Sequence, residues 1–370
     1  MFDRACVSLA NHGYDVHLIA SSLDACDIHV CRGVTVHPLP RAPSRLARLR
    51  RSWQVARLAA GLSPNLYHVH EPELLGPITA VAGASPVVWD VHEPYVEKVA
   101  IRKWIPRMLK PLVRIAWERR ERSLVKRCAA VVTATQWLAP RYYEMHDRVV
   151  VVANYPRVPN LSEETTATRD PCSMVFTGLI CESRGLLQTI QAMSILAQRG
   201  IRLVLELAGI PETKDILPQL FSEVERLGLR DRVVFHGLLP HVDVVNLQHR
   251  CGIGLELSFP DAGSKVGFPI KMLEFMLAGL PLVYSDLPTF KYFAGSTNAG
   301  IAVEPTSSQQ IANAIERLVS HPELARQMGQ NGRRAIMERF NWDSQWCELR
   351  KLYDELIGPP PTMIEEDKKC

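Results

Sequence analysis

Within Gly263–Asp286, GSKVGFPIKMLEFMLAGLPLVYSD, a lysine and a glutamate stand three positions apart just behind a proline. Pro269 suits the first turn of a helix, where its missing N–H costs nothing. Free N–H groups and the helix dipole at such a start favour phosphate, and Lys271 adds a full positive charge. Glu274, one turn further on, can accept hydrogen bonds from two vicinal hydroxyls, as on a ribose. The plainer account of Lys271 and Glu274 is a solvated pair at i, i+3. A second loop, FTGLICESRGLLQTI, shifts the balance. There a strand closes at Gly178 and a helix opens near Arg184, whose guanidinium can grip a pyrophosphate with two parallel bonds. A cation is unfavourable at a helix start, so an arginine there calls for an anionic partner.

Two further segments, YHVHEPELL and WDVHEPY, put His70 and His92 at the ends of two expected strands, with Glu71, Glu73 and Glu93 beside them. An imidazole that titrates near neutrality can serve catalysis, or it can simply bond a nearby carbonyl. His68 and His70 share a strand face at i, i+2, and with His92, Glu71 and Glu73 they could hold zinc. No His-Glu-x-x-His or other spacing completes such a site, and the expectation is no metal.

These residues sit in a chain where short apolar runs alternate with longer helical patterns, the mark of parallel sheets covered by helices. Strands are expected at Val16–Ser21, Val34–His37, Leu66–His70, Val87–His92, Ala130–Thr135 and Val149–Asn154, then at Met174–Leu179, Arg202–Ala208, Val233–Gly237, Ile253–Leu257, Leu282–Ser285 and Ile301–Val303. Helical stretches fall between them, at Asp3–Asn11, Ser44–Gly61, Pro72–Ala82, Ile101–Cys128 and Gln136–His146 in the first half. The expected organisation is a first domain over 1–157, a Pro-rich linker over 158–170, a second domain over 171–340, an amphipathic helix with Asn341 as its cap over 341–358, and a disordered tail over 359–370.

Apolar residues make up 47% of the 370 and charged residues 22%, ordinary for a globular protein. The net charge of +4 is too small to imply nucleic acid. No signal-like start and no membrane-length apolar run occur, so the expected setting is the cytoplasm. The nine scattered cysteines read mostly as buried thiols rather than a disulfide framework or a zinc site. Arg102–Arg127 is different in character, with ten basic residues against two acidic ones and apolar positions at helical spacing. It is either a helix with a solvated cationic face or one that lies on anionic lipid at the inner membrane face.

Taken together, GLICESRGLLQTIQAM, VVFHGLLPHVDV, PIKMLEFMLAGLPLVYSD and ERFNWDSQW, with SLANHGYDVHLIA, YHVHEPELL, WDVHEPY and VVVANYP in the first half, resemble the retaining family-4 glycosyltransferases. The resemblance covers nearly the whole chain. It implies the GT-B fold, α/β with two Rossmann-like doubly wound domains facing across a cleft and the last helix returning to the first domain. It implies a nucleotide-sugar donor, with Arg184 and Lys271 on its diphosphate, Glu274 on its ribose, and Gly178 and the Leu238 backbone in the same donor site. His92 would contact the donor sugar in catalysis, and His70, Glu71 and Glu93 would shape the acceptor side. No cofactor or metal is implied, and the acceptor would be a glycan or lipid-linked glycan of polysaccharide or glycoconjugate biosynthesis.

Two departures from the family pattern stand out. Many members carry a first glutamate eight positions before the second, where this chain has Val266. Some branches lack that carboxylate, so the choice of sugar is affected more than the activity. The family also begins with a strand and a Gly-rich loop, which precede the helix read here as Met1–Asn11. Gly252 and Gly254 are only a partial decoy for that loop. A misassigned start and a non-catalytic sugar-nucleotide-binding remnant both fit, and a sugar-nucleotide 2-epimerase of the same fold is the enzymatic alternative.

Overall fold

The computed structural model describes residues 2–22, 27–101, 105–158, 169–260 and 268–360. They form two compact units, Tyr155–Asn341 and, in two pieces, Met1–Asn154 with Trp342–Cys370. Val266, most of the expected linker and the end of the tail lie outside the described residues.

In Met1–Asn154 the strands are β1 (Val16–Ser22), β2 (His29–Cys31), β3 (Val34–Pro40), β4 (Tyr67–Val69), β5 (Val87–Val91), β6 (Ala130–Thr133) and β7 (Val149–Val151). They form one sheet of order β1-β3-β2 and a second of order β4-β5-β6-β7. Every pairing is parallel except β2 with β3. The short β2, exposed and with little apolar periodicity, was not among the expected strands.

Successive strand residues face opposite sides of a sheet. Trp89 and Val91 therefore join one apolar cluster, with Tyr67 and Val69 from β4. Val88 turns to the other face and packs with Trp342, Trp346, Leu349, Leu352 and Tyr353 of the C-terminal helix, Trp342–Ile357. By the same alternation His68, His70, Asp90 and His92 fall on the face that this helix covers. The Asn341 side-chain amide donates back to the Ile336 and Met337 carbonyls of the preceding helix.

The expected helix over Ile101–Cys128 is interrupted. Tyr95–Ile101 is helical, a single 3-10 turn spans Arg107–Leu109, and the long helix is Lys110–Val125, as Pro106 and Pro111 would dictate. Met108 and Leu109 in the turn and Leu112 and Ile115 on the helix are exposed, whereas Val125 is buried and Leu124 packs on the core. Glu121 is buried and accepts from Arg141 at 2.6 Å and Tyr142 at 2.9 Å.

The second unit holds β8 (Asp170–Thr177), β9 (Val204–Ala208), β10 (Val233–Gly237), β11 (Cys251–Glu256), β12 (Leu282–Ser285) and β13 (Gly300–Val303). They make one six-stranded parallel sheet of order β10-β9-β8-β11-β12-β13. The chain works outward from β8 to one edge, then returns to start again at β11. The order reverses between β8 and β11, the place where doubly wound sheets bind ligands beyond their strand ends. Gly252 and Gly254 are packing residues of β11: a Cβ at 252 would lie 2.7 Å from the Asp170 carbonyl, and one at 254 would lie 2.9 Å from the Phe275 ring.

Cys6, Cys128, Cys181 and Cys251 are buried free thiols, whereas Cys172 is exposed and Cys31 half-buried. Cys347 departs from the expected pattern of free thiols, being disulfide-bonded.

Gly209, just after β9, has φ +158°, and a Cβ there would meet the Gly178 carbonyl oxygen at 1.7 Å. Gly228 is also left-handed, at φ +66°, but faces open space. Gly209→Ala should therefore cost on the order of 3 kcal/mol or more, and Gly228→Ala about 1 kcal/mol. Urea midpoints compare the two, and equal losses would contradict the packing assigned to Gly209.

Candidate functional site

At the reversal between β8 and β11, two cations share one buried carboxylate. Glu256, the last residue of β11, is 2% exposed. Its Oε1 lies 3.2 Å from Arg184 Nη1 and accepts from the Ser258 hydroxyl at 2.7 Å, and Ser258 accepts from Arg184 at 2.5 Å. On the other side Oε2 is 3.3 Å from Lys271 Nζ, which also sits 4.5 Å from the centre of the Phe176 ring. That ion pair is long and poorly aligned as a hydrogen bond: Nζ and Oε2 are both buried, and neither has a hydrogen-bonding partner among the described residues. Burial pushes the Glu256 carboxyl up, but Lys271 and Arg184 overcome it and hold the group below its ordinary value. Burial lowers the Lys271 ammonium, and Glu256 only partly restores it.

The local backbone explains the positions. Arg184 ends a short 3-10 turn, Glu182–Arg184, and Gly185 follows at φ +63° to begin the helix Leu186–Gln198. A Cβ on Gly185 would lie 2.9 Å from Leu257, so only glycine brings this turn against the end of β11. Gly178, at φ +113°, leaves room for the Lys271 stem, because a Cβ there would approach Lys271 Cδ to 3.1 Å. Pro269 stands at the N-cap of the helix Ile270–Leu277 rather than inside its first turn. Lys271 is therefore its second residue and the half-buried Glu274 its fifth. Gly279, left-handed at φ +74°, ends the helix as expected. Leu238 follows the edge strand β10 with its side chain 77% exposed, two strands from β8 and apart from the charge cluster.

The first unit has a comparable arrangement around Asp90. Its Oδ2 lies 3.3 Å from His68 Nε2, 3.1 Å from His70 Nδ1 and 3.3 Å from His92 Nε2, and the last two nitrogens are 3.0 Å apart. Register brings them together: β4 pairs with β5 through Val69↔Trp89, so the next residues, His70 and Asp90, continue side by side. Outer contacts fix the rings. The Tyr353 hydroxyl is 2.7 Å from His68 Nδ1, and the Asn154 side chain is 2.9 Å from His92 Nδ1. Both ring nitrogens of His92 are thus engaged within this unit. Glu71, just before the helix Pro72–Val81, lies 3.5 Å from Arg48, and burial raises its carboxyl, helped by the nearby Glu73 and Glu93. Glu93 is half-buried beside His92.

His68, His70 and Asp90 are close enough to suggest a metal centre. Their orientation fits hydrogen bonding better. The His68 and His70 rings are stacked with planes 5° apart, whereas in-plane lone pairs of stacked rings do not meet at one point. The adjoining cavity, lined by Arg4, His68, Asp90, His92 and Asn154 among others, measures about 10 Å³. That is room for roughly one water, not a sugar. The cluster is tightly packed at the strand ends.

Burial pushes His70 down to about 4. For His92 burial acts the same way, but the hydrogen bond and charge of Asp90 prevail and raise it. Asp90 stays ionised well below the carboxylate range: burial opposes this, and the surrounding imidazoles overcome it.

The second unit is a doubly wound α/β unit with two cations at its switch point, where such sheets commonly bind ligands. Two family models narrow the class: "Glycosyl transferase 4-like domain" matches residues 2–155 and "Glycosyl transferases group 1" matches residues 159–335. The chain belongs to this glycosyltransferase family, with the GT-B fold. Among curated relatives, alpha-D-kanosaminyltransferase of Streptomyces kanamyceticus is 26% identical over 183 residues, 50% of this chain and 45% of that protein. The capsular polysaccharide biosynthesis glycosyltransferase CapM of Staphylococcus aureus is 24% identical over 183 residues, 49% of this chain and 46% of that one. The chain spans about half the length of these relatives. Among solved structures, sucrose-phosphate synthase from Thermosynechococcus elongatus aligns with TM-score 0.74 at 16% identity, over 95% of this chain and 91% of that one. HepE from Anabaena, in complex with UDP and glucose, aligns with TM-score 0.66 at 18% identity, over 88% and 87%. At these identities the structural likeness establishes the fold.

The Asp90 cluster makes stability depend on pH in a defined sense. His92 is raised in the folded state, so its protonation contributes fully below the ordinary value of 6.5 and is lost as pH rises through the raised one. The Asp90 contribution is present above its ordinary value of 3.8 and is lost only as pH falls through its depressed folded value. Asp90→Asn should destabilise the protein by about 3 kcal/mol near pH 6. The gap to wild type should narrow as pH rises past the raised His92 value. Chemical denaturation across that range measures the gap, and a constant one would contradict the ion pair.

Proposed function

We propose that this protein transfers a sugar from a nucleoside-diphosphate sugar to an acceptor hydroxyl with retention of anomeric configuration. The observation that carries the reading is the Arg184 and Lys271 pair at the switch point, with its incompletely bonded ammonium. A diphosphate supplies the hydrogen-bond acceptors that Lys271 lacks, and Arg184 can meet two of its oxygens at once. As the bond to the sugar breaks, negative charge grows on the leaving diphosphate. Two fixed cations stabilise that charge without a metal. The solved neighbour that contains UDP supports a nucleotide donor. Retention rests on the resemblance to the retaining family.

Glu274 takes the ribose hydroxyls in this reading, with Gly178 and the Leu238 backbone also serving the donor. His92 acts at the donor sugar after exchanging one of its present partners, or through its charged ring edge. His70, Glu71 and Glu93 border the acceptor. The likeness to CapM supports a glycan or lipid-linked acceptor in polysaccharide assembly.

The exposed Met108, Leu109, Leu112 and Ile115 at the start of the helix Lys110–Val125, flanked by Arg107, Arg114 and Arg119, suit an anionic membrane surface. The helix Pro72–Val81 packs against both this helix and Arg45–Gly61. The latter adds exposed Leu46, Leu49 and Trp53 and contains no acidic residue. No helix among the described residues is long and apolar enough to cross a membrane.

Isothermal titration with UDP, GDP and ADP should identify a preferred diphosphate whose affinity is unchanged by EDTA. Arg184→Ala and Glu274→Ala should each weaken it by about tenfold or more. Unchanged affinity in both variants would refute the donor assignment. Sedimentation with vesicles should give binding to anionic lipid that salt reverses, and Leu112→Glu with Ile115→Glu should abolish it. Equal binding to neutral lipid would count against the surface.

A further inference from the structure

The donor reading leaves one group of the cluster without a role, and any role for that group rests on the same reading. Glu256 carries a full negative charge at the base of a site meant for an anion. An unneeded carboxylate there would repel a diphosphate. It is nevertheless enclosed, hydrogen-bonded on one oxygen by Arg184 and Ser258 and held on the other only by a long ion pair with Lys271.

We propose that Glu256 is a positioning residue that stands in for the donor diphosphate, keeping Lys271 charged and Arg184 and Lys271 correctly separated in the empty site and yielding both cations to the diphosphate when it binds. The geometry gives the reason. Lys271 Nζ is enclosed by the Phe176 ring, Gly178 and the end of β11, where an isolated ammonium is costly. Glu256 makes the charged state tolerable, yet its long contact leaves the ammonium short of acceptors. The carboxylate is held from below by Ser258 and does not follow the cations outward. Repulsion between Glu256 and the product diphosphate would also weaken product binding and hasten its release.

The charged and titratable groups facing Lys271 are Glu256 on β11 and Arg184 and Cys181 from the loop after β8. Arg184 opposes a charge on Lys271, so Glu256 is the group that sustains it. Without Glu256 the ammonium should lose its proton in the empty site and regain one when a diphosphate arrives.

The test is titration of the full chain with UDP, or the preferred diphosphate, in two buffers of different ionisation enthalpy at pH 8. Wild type should bind with little proton uptake. Glu256→Gln should bind with uptake approaching about one proton. Its affinity should be roughly tenfold below wild type at pH 8.5 and recover toward pH 6.5. Adding Lys271→Met should abolish the uptake. Equal proton uptake in wild type and Glu256→Gln would overturn the proposal while leaving the donor site intact. If wild type binds no diphosphate, the donor reading itself falls. The positioning role is then judged from the Lys271 titration by NMR, where an unchanged lysine pKa in Glu256→Gln would overturn it. Should Glu256→Gln fail to fold, Glu256→Gln with Lys271→Met should restore folding by removing the buried amine that Glu256 no longer matches. A double variant that stays unfolded would also overturn it.

Discussion

A carboxylate buried between two cations is the constraint on which the second unit depends. Burying Glu256 at the end of β11 is unfavourable unless its charge is matched. Arg184 and Lys271 arrive from two different connections, one after β8 and one after β11. The match exists only because the sheet order reverses there and sets those two connections side by side. Several backbone features result from bringing them so close. Gly185 turns the first connection against Leu257, Gly178 makes way for the Lys271 stem, and Pro269 starts the second helix one residue ahead of Ile270.

The first unit uses the same physical device with different chemistry. Asp90 is buried at the end of a parallel strand and matched by imidazoles from two adjacent strand ends. The imidazoles are held in turn by Tyr353 and Asn154. In the second unit the matching groups are an arginine and a lysine; in the first they are imidazoles. Among the histidines, burial holds His70 down to about 4, whereas burial at His92 is outweighed by the Asp90 carboxylate, which raises it. In both units a buried carboxylate orders the cationic or titratable groups around it.

Much of this was legible in the sequence because periodicity and turn chemistry are local. The run at Val233–Gly237 and that at Leu282–Ser285 match their strands residue for residue, and Gly279 ends its helix as a left-handed glycine should. Arg184 and Lys271 could be paired because both follow expected strands. Their shared partner was missed, although the signal was present: a lone acidic residue inside the apolar run CGIGLELS has to find a cation when its strand is buried on both faces. Asp90 was missed for a related reason. It lies between Trp89 and Val91 in a strand buried throughout, and only the β4–β5 register reveals that it faces His70. The exposure of Leu112 and Ile115 on Lys110–Val125 could not be read from spacing, since an apolar stripe gives its angle around a helix but not what lies opposite. The backward bonds of Asn341 to the Ile336 and Met337 carbonyls are not encoded by the cap pattern.

If Glu256 holds two cations in readiness for a diphosphate, a crystal structure of the protein with its preferred nucleoside diphosphate tests this most directly. It should contain phosphate oxygens within hydrogen-bonding distance of both Arg184 and Lys271, a ribose against Glu274, and Glu256 still seated on Ser258. A diphosphate bound elsewhere, with the Arg184–Glu256 and Lys271–Glu256 contacts undisturbed, would contradict it.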